Sequence, residues 1–510
     1  GVDDAFVLGG EMARHGIHDP SAMAPQLLAL TAKTGGISVL VTSLTDALAF
    51  LIGSTTKLPA LSAFCVYAGI ALVFVFILMM GFYMAVLALN WRRAQDNRYD
   101  CCCCCRPSTL HALESPMGWC ACIPGANKVQ PGDNLLQRVL AGISQVVLTP
   151  VGKVVTIVVF VLVFALGVIG IVQLETDSEI EWFFPDDSYV TEYFELNRKY
   201  FSKGTEFYIY TNNVDVFDQR ETMSSLSSYI SCQNFIQRDV VDDWWMSYES
   251  YLMNNGMTMS NDRPTFFGQI HAWVSTEGDK YWDDLLWVSD SCAKDSCNYA
   301  EGIAHSRIKA SLQLFANGRV RFDTMRTFRE DIKNMFGSGD MSVFPFTYEF
   351  LFWEEVGIIT EELTKNLTIA AGVISLIVCV LIPRPRIAFI VVVNIVMSIV
   401  EVVGYAHYWG LTINGVATIY FLICVGLAVD YSAHIGHTFN VCSGKSNERA
   451  LKAVRQIGPS VVHALISTLL AICVVAFSKS YVFEVFFKIL FLVSVLSGLH
   501  GVWLLPVLLS

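Results

Sequence analysis

The sequence predicts a polytopic α-helical membrane protein with two pseudo-symmetric helix bundles and one α+β domain outside the membrane. First, 54% of the 510 residues are hydrophobic and only 16% are charged, whereas a soluble protein carries about a quarter charged residues. Second, eight apolar runs are long enough to cross a bilayer. Third, an acidic motif within an apolar helix occurs twice, about 426 residues apart.

The apolar runs fall into two groups, separated by a long polar segment. They cover residues 36–53, 60–89, 153–172, 367–382, 387–408, 412–437, 457–477 and 484–509. A short apolar segment at the start carries the first acidic motif, so we expect the sequence to begin inside a helix and to lack an N-terminal part. Basic residues concentrate in the connections 90–152, 383–386 and 440–456. The excess of Lys and Arg in cytoplasmic loops therefore predicts that these three connections are cytoplasmic.

These boundaries divide the chain into five parts. They are the end of a first transmembrane half (1–90), a cytoplasmic Cys-rich loop (91–152), a transmembrane helix (153–172), an extracellular or luminal α+β domain (173–360) and a second transmembrane half of five helices (361–510). The α+β domain has 15 Lys and Arg against 31 Asp and Glu, a net charge of −16. Such acidity is typical of a solvated, secreted-type surface, and attraction of cations is the alternative.

Strand and helix patterns alternate within 173–360. Strands are predicted at 207–210, 308–315 and 341–345, and helices at 221–231, 242–253 and 320–335. Strands separated by helices of this length favour a ferredoxin-like βαββαβ unit. Its dense tryptophans are typical of a core or an interface, with a lipid passage as the alternative.

The two membrane halves repeat the same order of features. Gly1 opens the first acidic motif and Gly426 the second, and each motif is followed by an amphipathic linker that enters a helix through glycine, at Gly36 and Gly458. A pair of helices then closes each half. Repeats with the same membrane orientation predict a pseudo-twofold axis along the membrane normal.

Three stretches carry a resemblance to a known family. They are Gly1-Val2-Asp3-Asp4-Ala5-Phe6-Val7, Thr42-Ser43-Leu44-Thr45-Asp46-Ala47-Leu48-Ala49-Phe50 and Val429-Asp430-Tyr431-Ser432-Ala433-His434-Ile435. The chain resembles the resistance-nodulation-division superfamily and, within it, the Patched, Niemann–Pick C1 and Patched-domain-containing branch. Residues Phe183-Phe184-Pro185-Asp186-Asp187-Ser188-Tyr189-Val190 match that family's entry to its second ectodomain.

The resemblance implies a twelve-helix protein with two ectodomains, of which this chain would begin within the fourth helix and hold part of a sterol-sensing domain. It implies movement or sensing of sterols and other lipids, and the plasma or ciliary membrane rather than an endomembrane. No resident cofactor is implied. The expected ligand is a bound sterol or phospholipid.

The candidate site consists of ionisable residues at membrane depth, which are costly there and usually functional. Gly426, Asp430, His434 and His437 share one helix face. We interpret Asp3, Asp4 and Asp430, assisted by His434, as a site that binds H⁺ or Na⁺ between the halves. The alternative is a structural hydrogen-bond network.

Two further acidic residues lie within the apolar runs. Glu401 is a candidate member of the same ion path, or a residue near the outer interface. Asp46 belongs, with Gly1 and Gly426, to the repeated pattern, and it either packs against the acidic residues or has a structural role. No residue set predicts a structural or catalytic metal site.

Cysteines outside the membrane support two modification hypotheses. Cys101, Cys102, Cys103, Cys104 and Cys105 follow an apolar helix beside arginines, which favours S-palmitoylation. An unstructured loop or a metal cluster are the alternatives, although the run lacks the CxxC spacing of zinc sites. In an oxidising compartment, Cys292 and Cys297 would form a disulfide that closes a small loop.

The chain has no Walker loop, nucleophile elbow, HExxH or dinucleotide motif, so the sequence predicts neither an enzyme nor an ATP-driven pump. The favoured hypothesis is a sterol or lipid transporter coupled to a proton or Na⁺ gradient. The rivals are a non-transporting lipid-sensing receptor and a structural component that contacts other membrane proteins through the ectodomain. Nucleic acid is not an expected partner.

Overall fold

The structure is a computed structural model that describes residues 2–18, 22–95, 135–185, 187–201, 204–212, 214–288, 299–315, 317–336 and 342–510. It contains two compact units. One, the membrane unit, comprises Gly1–Glu175 and Ile359–Ser510, and the other, the sheet unit, comprises Thr176–Ile358.

The first part of the membrane unit is helical throughout its described length. Two of its long helices begin at proline, Pro59 and Pro150, where the missing N–H costs nothing. The hydroxyl of Thr149 accepts a hydrogen bond from the Gly152 N–H at 3.1 Å and caps the second of these. The helices are α1 (Val2–His18), α2 (Ala24–Thr31), α3 (Ile37–Gly53), α4 (Pro59–Leu78), α5 (Met84–Gln95), α6 (Leu135–Val147) and α7 (Pro150–Gln173), with π-helical turns at Ala32–Gly36 and Met79–Tyr83.

The described residues of the sheet unit form helices that alternate with four strands. Its elements are α8 (Tyr189–Tyr200), β1 (Glu206–Asn212), α9 (Arg220–Cys232), α10 (Trp244–Asn254), α11 (Arg263–Val274), β2 (Leu285–Trp287), β3 (Ile303–Ser311), α12 (Gly318–Phe336) and β4 (Ser342–Phe346), with 3₁₀ turns at Ile180–Phe183, Arg238–Val240, Asp279–Asp284 and Tyr299–Glu301. The strand order is β2-β3-β1-β4, and all neighbours are antiparallel. With helices between β1 and β2 and between β3 and β4, this is the predicted βαββαβ arrangement.

The core of the sheet unit follows from its residue periodicity. β1 buries alternate residues, Phe207 and Ile209 among them, as a strand with one covered face does. Helix α12 buries Met325, Phe328 and Ile332 at helical spacing. The rings of Phe207 and Phe328 meet edge to face, with centroids 5.8 Å apart. The tryptophans of α10 are fully buried in this same core.

Helix α10 is capped by a buried carboxyl group. Asp243 is 3% exposed, and its Oδ1 accepts hydrogen bonds from the backbone N–H groups of Trp245 (2.8 Å) and Met246 (3.2 Å). Burial raises the pKa of the Asp243 carboxyl, although the two N–H groups act in the opposite direction.

We expect this cap to make the sheet unit less stable as the pH rises. Because the folded pKa lies above the unfolded value of about 3.9, the folded state binds more protons between the two values. The free energy of unfolding is therefore highest below the unfolded pKa and falls as the pH rises through the folded one. Hydrogen exchange of the α10 amides, corrected for intrinsic pH dependence, should show this loss. Asp243→Asn keeps the acceptor and should remove the slope; an unchanged slope would assign it to another group.

The remaining helices follow β4 in the chain. Asn414 caps the central one, because its Oδ1 accepts a hydrogen bond from the Ala417 N–H at 2.9 Å. The helices are α13 (Glu349–Leu381), α14 (Pro385–Tyr408), α15 (Gly415–Val441), α16 (Ser446–Cys473), α17 (Tyr481–Leu499) and α18 (Leu505–Leu509), with a 3₁₀ turn at Val475–Phe477 and a π-helical turn at His500–Leu504.

Eight helices of the described chain are long and apolar enough to cross a membrane. They coincide with the eight predicted runs and extend beyond several of them, because amphipathic ends continue the helices outside the apolar windows. The span predicted at 367–382, for example, belongs to a helix that starts at Glu349. The predicted fold class, a polytopic helical membrane protein with a small α+β domain, is confirmed.

The helix contacts in the membrane unit follow the sequence repeat. Helix α1 packs against α16, and its counterpart α15 packs against α3. The π-helical turns at Met79–Tyr83 and His500–Leu504 also occupy equivalent places, 421 positions apart, in the closing helices of the two halves. The acidic helix of each half thus packs against a helix of the other half, and this brings the two acidic motifs together.

Candidate functional site

Three helices of the membrane unit bring five ionisable side chains together. Asp3 and Asp4 lie on α1, Asp46 lies on α3, and Asp430 and His434 lie on α15. We call these five residues the carboxylate cluster. The Asp3 and Asp430 carboxyl groups are within hydrogen-bonding reach of each other, and Asp46 interacts electrostatically with Asp430. Asp4, Asp430 and His434 are each at most 5% exposed, and Asp3 is half-buried.

Hydroxyl groups of α3 hold part of the cluster in place. Ser38 Oγ and His434 Nδ1 are 2.7 Å apart, and Thr42 Oγ1 donates a hydrogen bond to Asp4 Oδ1 at 3.3 Å. The ligand atoms of Asp3, Asp4 and His434 all lie within 4.8 Å of one another. This spacing lets the three side chains share one proton or one small cation.

The cluster has unused hydrogen-bonding capacity. Asp46 Oδ1, Asp430 Oδ1 and His434 Nε2 are buried without a hydrogen-bond partner among the described residues. Asp46 lies directly against Gly426, where a Cβ atom would overlap its Oδ1. A side chain at 426 would therefore have to displace the Asp46 carboxyl group from this position. Orphaned buried polar atoms are uncommon and mark a strained or ligand-binding position.

A cavity of about 490 Å³ reaches the hydroxyl side of the cluster. It lies between α1, α15, α16 and the π-helical turn at Ala32–Gly36. Ser38, the partner of His434, lines it together with Glu11 and His437, and basic side chains that include Lys33 and Lys452 also line it. Space large enough for water therefore reaches Ser38, which contacts His434 of the cluster.

Glu401 lies in a different place from the other predicted site residues. Its side chain is fully buried on α14, and its Oε2 is 2.9 Å from His500 Nε2. The structure therefore separates the predicted ion-site residues into the carboxylate cluster and a Glu401–His500 pair.

The sequence interpretation overlooked His500 and the roles of Ser38 and Thr42. An imidazole within the last apolar run is itself a signal, because ionisable residues at membrane depth are rare. The hydroxyls carry no comparable signal, since Ser and Thr are common in membrane helices. Gly1, the cysteines at 101–105 and the Cys292–Cys297 pair lie outside the described residues, and their predicted roles stay predictions.

The first part of the chain matches a family model. Residues 1–107 match the sterol-sensing domain of SREBP cleavage-activation. This region contains the α1 and α3 residues of the carboxylate cluster.

Curated relatives match along the entire chain. The NPC intracellular cholesterol transporter 1 of Sus scrofa is 25% identical over 572 residues, covering 100% of this chain and 43% of the relative. The patched homolog 1 of Caenorhabditis elegans is 22% identical over 611 residues, with the same two coverages. The chain thus spans less than half the length of these relatives.

A solved structure shares the fold. The cryo-EM structure of the hedgehog release protein Disp from the water bear Hypsibius dujardini superposes with a TM-score of 0.64 at 12% identity, covering 99% of this chain and 61% of that one. The sterol-sensing match and these relatives support the resemblance of the chain to the Patched and Niemann–Pick C1 branch of the resistance-nodulation-division superfamily.

Proposed function

We propose that the protein containing this chain moves sterol or another lipid, and that H⁺ or Na⁺ binding at the carboxylate cluster drives the movement. The observation that supports this proposal most directly is that acidic residues from both halves of the repeat lie together in one buried group. Asp3 and Asp4 come from one half and Asp430 and His434 from the other. An ion bound there would contact both halves, so its arrival and departure can change how they pack.

Electrostatics support the ion-binding part of the proposal. Four carboxyl groups in an apolar surrounding cannot all carry an uncompensated negative charge, since each such charge is costly at membrane depth. A proton or a cation on the cluster relieves this repulsion. An oxygen-rich set of ligands suits Na⁺, whereas the shared imidazole of His434 suits a proton.

The cavity beside Ser38 supports access of the ion from one side. The connection 440–456, which the sequence predicts to be cytoplasmic, supplies residues of its lining. We therefore propose that the ion exchanges with the cytoplasm through this cavity, past Ser38 and His434. The basic residues of its lining favour a proton over Na⁺, because they repel a free cation.

The lipid part of the proposal is supported by the relatives and the family model. Two curated relatives bear the name of cholesterol transporters, and residues 1–107 match a sterol-sensing domain. The same match favours a second function, a receptor that binds sterol without transporting it. From the resemblance to Patched, we propose that the protein resides in the plasma or ciliary membrane.

A flux assay separates these functions. The full-length protein would be reconstituted into liposomes with a fluorescent sterol, and flux measured with no gradient, with a pH gradient and with a Na⁺ gradient. A coupled transporter should show flux only with one of the two gradients. Sterol binding without gradient-dependent flux would overturn the transporter proposal in favour of the receptor.

A further inference from the structure

A second polar network crosses the membrane unit on α14, α15 and the π-helical turn after α17. His500 Nε2 is 2.9 Å from Glu401 Oε2, and His500 Nδ1 is 3.2 Å from Asn394 Oδ1. Asn394 Nδ2 donates a hydrogen bond to Ser432 Oγ at 3.0 Å. Glu401, His500, Asn394 and Ser432 have no exposed surface. We call these four residues the α14 network.

The directions of the hydrogen bonds in the α14 network place one proton on His500 Nδ1. Because the Asn394 amide nitrogen donates to Ser432, its oxygen faces His500 and accepts from Nδ1–H. The short contact between Nε2 and Glu401 Oε2 then needs one more proton. If that proton is on Nε2, the pair is an imidazolium and a carboxylate. If it is on Oε2, a neutral imidazole accepts a hydrogen bond from a carboxylic acid. In both forms the pair holds one proton and no net charge.

Loss of that proton would force a movement. It would leave the Nε2 lone pair facing a carboxylate across 2.9 Å or, if the remaining imidazole proton moved to Nε2, the Nδ1 lone pair facing the Asn394 oxygen across 3.2 Å. Both arrangements are unfavourable in a fully buried place. Glu401 Oε1 has no hydrogen-bond partner among the described residues, so no hydrogen-bond donor of these residues compensates the charge on that oxygen. Release of the proton to water must therefore accompany separation of α14 from the turn that carries His500.

The backbone around His500 is suited to such a movement. His500 begins a π-helical turn, a feature that often marks functional sites in helices. The next residue, Gly501, lies against α15, and a Cβ atom there would be 2.7 Å from the Tyr431 carbonyl oxygen. Tyr405, which follows Glu401 by one turn on α14, interacts electrostatically with the Glu401 carboxyl group.

The α14 network and the carboxylate cluster meet α15 on different faces. Ser432 lies two residues from both Asp430 and His434, about 200° around the helix from each. The Asn394–Ser432 hydrogen bond thus connects the α14 network to the helix that bears the cluster. A change in either group is transmitted to the other through the position of α15.

We propose that Glu401 and His500 form a second proton-binding site, in which one exchangeable proton between Oε2 and Nε2 holds α14 against the π-helical turn. Uptake closes this contact and release to water opens it. The site is separate from the carboxylate cluster, and its proton can be observed whether or not the protein transports lipid.

Infrared difference spectroscopy of the full-length protein in nanodiscs tests this proposal. Glutamate labelled with ¹³C at the side-chain carboxyl distinguishes its bands from those of aspartate. We expect a labelled carboxyl signal that changes with pH, persists in Asp430→Asn and disappears in Glu401→Gln. A signal that survives Glu401→Gln, or no pH-dependent glutamate signal in the Asp430→Asn background, would overturn the second site.

A double-mutant cycle distinguishes a shared proton from simple packing and covers variants that fold poorly. His500→Gln leaves a buried carboxyl group without its partner, whereas Glu401→Gln with His500→Gln replaces the pair by two neutral amides. We expect the fall in melting temperature for His500→Gln to be at least about twice that of the double variant. Additive losses would mean that the residues act independently, and would overturn the shared proton.

Discussion

Asp430→Asn should reduce gradient-driven lipid flux to the level of vesicles without a gradient. Asp430 is buried and lies within hydrogen-bonding reach of Asp3 from the other half. Asparagine has the same shape but cannot bind a proton or balance the charge of a cation. The protein should still fold, because the change removes repulsion between acids and leaves no new buried charge. Fluorescent-sterol flux at equal protein density is the measurement.

A matched control separates the cluster from general acidity. Glu361→Gln also neutralises one carboxylate in a membrane helix, but Glu361 is exposed on α13 and outside the cluster. It should keep the flux of the unaltered protein. If both variants lost flux equally, the loss would reflect the net charge and not the cluster. If Asp430→Asn kept gradient-driven flux, the cluster would not be the coupling site.

Gly404→Val should destabilise the membrane unit by about 3 kcal/mol, the upper part of the range for overpacking a tight contact. Helices α7 and α14 approach each other through glycines, and a Cβ atom on Gly404 would overlap the backbone carbonyl of Gly167. A Cβ atom on Gly170 would likewise overlap the Gly404 carbonyl. Backbone atoms cannot rotate away, so the helices must separate, as expected where small residues allow close packing.

The control for this prediction is the same substitution where space is free. Gly372 lies on α13, and no atom would be within 4 Å of a Cβ atom there. Gly372→Val should change the free energy of unfolding by less than about 1 kcal/mol. Thermal unfolding in detergent, followed by tryptophan fluorescence, compares the two. Equal losses would attribute the effect to valine in a helix and not to the α7–α14 contact.

Much of the candidate site could be predicted because its signals are local. Asp3, Asp4 and Asp430 stand out within apolar helices, and the repetition of their surroundings predicts that two halves meet there. Asp430 and His434, four residues apart, share a face in any α-helix. The sequence also indicates the βαββαβ order of the sheet unit, since strand and helix periods differ.

The partners of Glu401 and Gly404 could not be predicted in this way. In a membrane helix, the side that faces lipid and the side that faces protein are both apolar, so periodicity does not identify the packed face. His500 and Glu401 are 99 residues apart and meet because α17 and α14 pack together. The α7–α14 glycine contact likewise joins positions with no sequence relation.

The sequence by itself therefore determined the number of membrane helices, the two related halves, the mixed α+β domain and the acidic residues that characterise the site. These follow from hydrophobicity, local periodicity and the cost of a charge at membrane depth. Only the tertiary structure decided that Ser38 and Thr42 contact the cluster, that Asp46 lies against Gly426, and that Glu401 belongs with His500. The reason is physical: these contacts depend on which faces of distant helices pack, and close packing is a property of the assembled bundle.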